Sequence, residues 1–122
     1  MTSILIVDDH EAFRESARAL LEAEGLSVVG VVGTGATALQ SCRDLHPDVV
    51  LLDIQLPDQS GFDVAPQLRQ QDRAPAIVLV SSRPAHDYGE DVHVALVAGF
   101  IHKPDLSRAA IEQLINPSLA HG

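Results

Sequence analysis

Short, nearly unbroken aliphatic runs punctuate the chain: Ile4-Leu5-Ile6-Val7, Val28-Val29-Gly30-Val31-Val32, Val49-Val50-Leu51-Leu52, Ala76-Ile77-Val78-Leu79-Val80 and Phe100-Ile101. A strand with one wet face alternates apolar and polar side chains. Runs without that alternation describe strands covered on both faces, as in a parallel sheet. The stretches between them repeat at helical spacing instead. Between the first two runs, Ala12, Phe13, Ala17, Leu20 and Leu21 recur in this way, and Gly25 supplies the stop. Further helices are expected over about 35–45 (Ala38, Leu39, Cys42, Leu45), 61–71 (Phe62, Val64, Leu68) and 106–115 (Leu106, Ala109, Ala110, Leu114), the last with Ser107 as N-cap. Pro84 and Gly89 interrupt the segment after the fourth run, so a loose loop is expected there, with a helix only from about Glu90.

Five strands alternating with five helices predict the α/β class: a doubly wound, five-stranded parallel sheet with right-handed crossovers. In that architecture functional groups gather at the carboxyl ends of the strands, near the switch in strand order. One domain is expected over residues 1–116, with 117–122, opened by Pro117, as a frayed tail. The size agrees, since 122 residues with 46% hydrophobic side chains can build a core without staples. A single cysteine, Cys42, rules out an internal disulfide and a Cys-based zinc site, and is read as a small buried hydrophobe.

Charge narrows the partners. At a net −9, the chain lacks the Lys/Arg needed to neutralise phosphate backbones, so neither nucleic acid nor an anionic membrane surface is expected to bind. The first apolar run is stopped at once by Asp8 and Asp9 and has no basic start, and no run approaches the ~18 residues of a membrane span. A cytoplasmic setting is the resulting expectation.

The strand ends carry the chemistry. The first strand ends in Asp8-Asp9, the third in Asp53, the fourth in Ser81-Ser82 and the fifth in Lys103-Pro104. In a parallel sheet these ends share one edge, where three carboxylates, a hydroxyl and an ammonium should converge. Carboxylates within ~4 Å repel by about 4 kcal/mol per pair at an effective dielectric near 20, so such a site holds a proton or recruits a cation. Oxygen ligands suit Mg²⁺, which prefers one or two carboxylates plus a phosphoryl oxygen and makes phosphoryl transfer to a carboxylate feasible. Lys103 is the only lysine in the chain and offers a compact point charge.

With these residues in this order, the sequence closely resembles the receiver domain of bacterial two-component response regulators. The resemblance runs from Ile4 to about Leu114 and includes the Val-Val-Leu-Leu-Asp run ending at Asp53 and Leu56-Pro57-Asp58-Gln59-Ser60-Gly61. It implies a (βα)5 flavodoxin-like fold with strand order 2-1-3-4-5. It further implies that Asp53 accepts the phosphoryl group as an aspartyl phosphate. Asp9, Asp53 and the main-chain carbonyl of Gln55 would ligate Mg²⁺, Asp8 would act mainly through metal-bound water, and Ser81 and Lys103 would bind phosphoryl oxygens. Phe100 occupies the place of an aromatic switch residue, working with Ser81. Implied partners are a histidine kinase or phosphotransfer protein as donor and an output protein on the helix 4, strand 5 and helix 5 face; a homodimer is compatible. Such a domain catalyses only its own phosphorylation and dephosphorylation and is not otherwise an enzyme.

Two departures stand out: Ser81 is one methyl shorter than the commoner Thr, and Phe100 lacks the hydroxyl of the commoner Tyr. Asp8-Asp9-His10 most resembles receivers that precede a DNA-binding helix-turn-helix. A non-phosphorylated pseudo-receiver acting as an interaction module is the alternative, and would be favoured had an acid or Lys103 been missing. An aspartate-nucleophile phosphatase is disfavoured because Asp53-Ile54-Gln55 lacks a second acid, and a nucleotide binder because Asp8-Asp9 would repel phosphate. Taken singly, paired acids after a strand are ordinary helix-start residues. The six histidines are scattered without metal-ligand spacing, and only His10 stands close enough to tune the acidic pocket. Phe13 and Phe62 are read as core.

Overall fold

The computed structural model describes residues 2–89 and 97–116. Its strands are β1 (Ser3–Val7), β2 (Ser27–Val32), β3 (Val49–Asp53), β4 (Ala76–Ser81) and β5 (Gly99–His102), all pairing in parallel in the order β2-β1-β3-β4-β5. The unalternating runs are explained by position. Every residue of β3 is buried and all but the first of β1 and β4, whereas β2, at an edge, is only half-buried.

Two apolar clusters cover the two faces. On one, Leu5, Val7, Val50, Leu52 and Leu79 pack on Ala38 and Cys42 of α2 (Gly35–Leu45) and on Val64, Ala65 and Leu68 of α3 (Gly61–Arg69). On the other, Ile4, Ile6, Val49, Leu51, Val78 and Val80 pack on Ala17 and Leu21 of α1 (Glu11–Ala23) and on Ile111 of α4 (Arg108–Ile115). Successive side chains of one strand thus feed opposite layers. Each fully buried Leu or Ile contributes roughly 1.5–3 kcal/mol, so the platform beneath the strand ends is stiff.

Four α-helices lie among the described residues, and the helix expected from about Glu90 falls outside them, as does the tail 117–122. No described helix is long and apolar enough to cross a membrane. The segment after β4 differs from expectation. Instead of a loose loop it holds a 3-10 turn, Ala85–Tyr88, because Pro84 enters at φ −68° and Tyr88 packs inward on the α2/α3 layer. The last helix also starts later than its apolar pattern implies. Lys103–Asp105 form a 3-10 turn with Pro104 inside it, and the buried Leu106 follows before Ser107 caps Ala110 N–H at 3.0 Å.

Candidate functional site

The ends of β1, β3 and β4 deliver the only buried polar or charged side chains among the described residues: Asp8 (0% exposed), Asp53 (4%) and Ser81 (4%). Asp8 continues the ladder past Val7, its N–H donating to Val32 O at 3.0 Å, so its carboxylate is held by sheet backbone. Asp9 and His10 follow, exposed. Oxygens of Asp8, Asp9 and Asp53 and a ring nitrogen of His10 all lie within 4.8 Å of one another.

Lys103, at the end of β5, reaches over this cluster. Its Nζ stands 2.6 Å from Asp8 Oδ2, 3.8 Å from Asp53 Oδ2 and 4.3 Å from the centre of the Phe13 ring. His10 Nδ1 lies 3.1 Å from both Asp8 Oδ1 and Asp9 Oδ1, and the His10 N–H donates to Asp8 Oδ1 at 2.8 Å. Asp8 Oδ2 is buried, and the Lys103 ammonium is its one close partner among the described residues. Burial, and then the neighbouring Asp8 charge, push the Asp53 carboxyl up to about 6, against the opposing pull of Lys103 and of the Gln55 N–H, 3.4 Å from Asp53 Oδ1.

Three carboxylates within 4.8 Å opposed by one ammonium leave excess negative charge among oxygen donors. That donor set fits a hard divalent cation of the Mg²⁺ type, held by Asp8, Asp9 and Asp53. His10 also reaches the cluster, as its position beside the acids implies.

The rim beside β4 holds a residue that sequence reasoning missed. Ser81 Oγ accepts the Arg83 N–H at 3.0 Å and lies 2.5 Å from the hydroxyl of Tyr88. The Tyr88 ring sits between Phe62, edge-on at 5.8 Å between centroids, and Phe100, tilted at 6.1 Å. Phe100, half-buried on β5 opposite Leu79, is thus linked to Ser81 through Tyr88. The available signal was that Tyr88 is the chain's sole tyrosine, in a chain without tryptophan.

The loop after Asp53 is shaped by close packing. A Cβ on Gly61 would come within 2.5 Å of Asp53 O, so only glycine lets the start of α3 press against the back of the acid. Farther along, Asp58 accepts the N–H groups of Gly35 at 2.8 Å and Ala36 at 3.0 Å, tying this loop to the first turn of α2.

A family model described as the response regulator receiver domain matches residues 4–116. Among curated proteins, the sensory transduction protein RegX3 of Mycolicibacterium smegmatis is 38% identical over 93% of this chain and 49% of its own length. The DNA-binding transcriptional activator EvgA of Escherichia coli is 30% identical over 83% of this chain and 50% of its own. The chain thus spans about half the length of these relatives. Among solved structures, a CheY-like receiver domain from Methylobacillus flagellatus superposes with a TM-score of 0.81 at 29% identity, covering 96% of this chain and 98% of that one. A two-component response regulator of the LuxR family from an Aurantimonas species gives the same TM-score and identity over 99% and 87%.

Proposed function

The chain belongs to the response regulator receiver domain family, and from that premise we propose that it accepts a phosphoryl group on Asp53 in a Mg²⁺-dependent reaction and signals by conformational change. The donor is a histidine kinase or phosphotransfer protein, the setting the cytoplasm, and the domain residues 1–116. The observation carrying this reading is the convergence of Asp8, Asp9 and Asp53 within 4.8 Å, with Lys103 over them and Ser81 on the neighbouring strand.

In the transfer, an Asp53 carboxylate oxygen forms a bond to phosphorus as the bond between phosphorus and the donor's imidazole nitrogen breaks, and that nitrogen keeps the electron pair. Asp8, Asp9, Asp53 and the Gln55 carbonyl are the residues to hold Mg²⁺, which when bound neutralises charge on the phosphoryl oxygens. Lys103, 3.8 Å from Asp53 Oδ2, is within reach of a second phosphoryl oxygen, and Ser81 supplies a neutral donor. The added ~1.5–2 negative charges draw these two inward. Phe100 then moves with Ser81, changing the face that β5 and α4 offer to an output protein. The pseudo-receiver alternative gains no support, since every acid and Lys103 are present and gathered.

Acetyl phosphate with Mg²⁺ is expected to add one phosphoryl group to the protein by intact mass, and Asp53→Ala to abolish the adduct. Equal phosphorylation of that variant would overturn the assignment.

A further inference from the structure

We propose that Tyr88 is a positioning residue of the phosphoryl site, donating its phenol hydrogen to Ser81 Oγ and thereby aiming the serine's own proton at the incoming phosphoryl oxygen. This rests on the reading of Asp53 as phosphoacceptor. A hydroxyl oxygen has two acceptor sites and one proton. At Ser81 the Arg83 N–H takes one acceptor site at 3.0 Å. Tyr88 Oη, 2.5 Å away, is the other partner. A phenol O–H is a better hydrogen-bond donor than an aliphatic alcohol, because the ring delocalises the oxygen's charge, so the Tyr88 proton lies between the two oxygens.

Both acceptor sites of Ser81 are then filled, and its proton has no acceptor among the described residues although the residue is only 4% exposed. A buried hydroxyl with a spare donor and no spare acceptor is matched to an anion. It is also strengthened as a donor, because each hydrogen bond it accepts polarises its own O–H.

The surroundings suit that role. Serine has no branched Cβ to fix its χ1, so its rotamer must be held from outside. Tyr88 holds it, and Phe62 and Phe100 hold Tyr88, at 5.8 and 6.1 Å between ring centroids. The hydroxyl that Phe100 lacks on β5 is thus supplied from the 3-10 turn after β4.

Tyr88→Phe removes the hydroxyl and keeps the ring. With Mg²⁺ and beryllofluoride as the phosphoryl mimic, this variant is expected to bind about threefold to tenfold more weakly than the parent chain, the range of one hydrogen bond. In a Ser81→Ala background the same change is expected to have no effect. Ser81→Thr added to Tyr88→Phe is expected to restore affinity, because the extra methyl restricts the rotamer that the phenol no longer holds. Without Mg²⁺, the near-ultraviolet band of this single tyrosine is expected to shift in Ser81→Ala, where the phenol loses its acceptor. Unchanged affinity in Tyr88→Phe, or an equal loss with and without the Ser81 hydroxyl, overturns the proposal and leaves the Asp53 reading standing. No beryllofluoride binding by the parent chain overturns both.

Discussion

Lys103 pairs more closely with Asp8 than with Asp53: its Nζ is 2.6 Å from the first carboxylate and 3.8 Å from the second, over the Phe13 ring at 4.3 Å. Asp8 is fully buried, and the lysine side chain is 13% exposed. The pair is therefore little screened, and removing the cation strands a buried charge. Lys103→Met is expected to destabilise the chain by ~3 kcal/mol in urea unfolding with chelator present. Excess Mg²⁺ is expected to narrow that gap, because the acids freed of the competing ammonium bind the cation more tightly than in the parent chain and so gain more from mass action. A gap that Mg²⁺ leaves unchanged would show that the ammonium and the cation do not compete for the same acids.

Asp58 links the loop after the phosphoacceptor candidate to α2. The N–H groups of Gly35 and Ala36 hold its carboxyl below the usual carboxylate range. A depressed folded pKa means that the stabilisation is present above the ordinary value of about 3.9 and is lost as pH falls through the lower, folded one. Asp58→Ala is expected to lower the urea midpoint at pH 7, with the difference from the parent chain shrinking as the pH drops below 4. A difference independent of pH would mean that loop packing, not the carboxylate, makes the link.

Arg108 joins the first and last helices. Its Nη1–H donates to Glu24 O at 2.7 Å at the end of α1, while Glu24 Oε1 accepts the Arg108 N–H at 2.9 Å at the start of α4. Each helix terminus thus satisfies an orphan group of the other. With the side chain 46% exposed, Arg108→Ala is expected to cost about 1 kcal/mol by chemical denaturation. No measurable loss would assign the contact no part in holding the two ends together.

Cys42 is 2% exposed on α2, and burial pushes its thiol up to about 11. The fold keeps a proton that the unfolded chain releases above its ordinary value of 9.0. Its contribution to stability is therefore complete below that value and is lost as pH rises through about 11. Iodoacetamide at pH 8 is expected to modify Cys42 far more slowly in the native chain than in urea. Equal rates would place the thiol outside the core.

Much of this molecule is legible in order along the chain. Runs without alternation identify β1, β3 and β4 because both of their faces are covered, and an acid or hydroxyl directly after such a run stands at the sheet edge whatever the loops do. Helical periodicity was less exact. Leu20 and Leu45 fit the apolar pattern yet are 39% and 46% exposed, because the pattern gives the direction of a helix face but not the width its neighbours cover.

The linear order of residues was sufficient to say which groups reach the common rim, Asp8, Asp9, Asp53, Ser81 and Lys103, since strand direction alone carries them there. Only the folded arrangement decided who pairs with whom: Lys103 on Asp8, and Tyr88 on Ser81 with Phe62 and Phe100 around it. Those choices depend on distances of a few ångströms set by how helices and turns pack against the sheet, and separation along the chain holds no record of them.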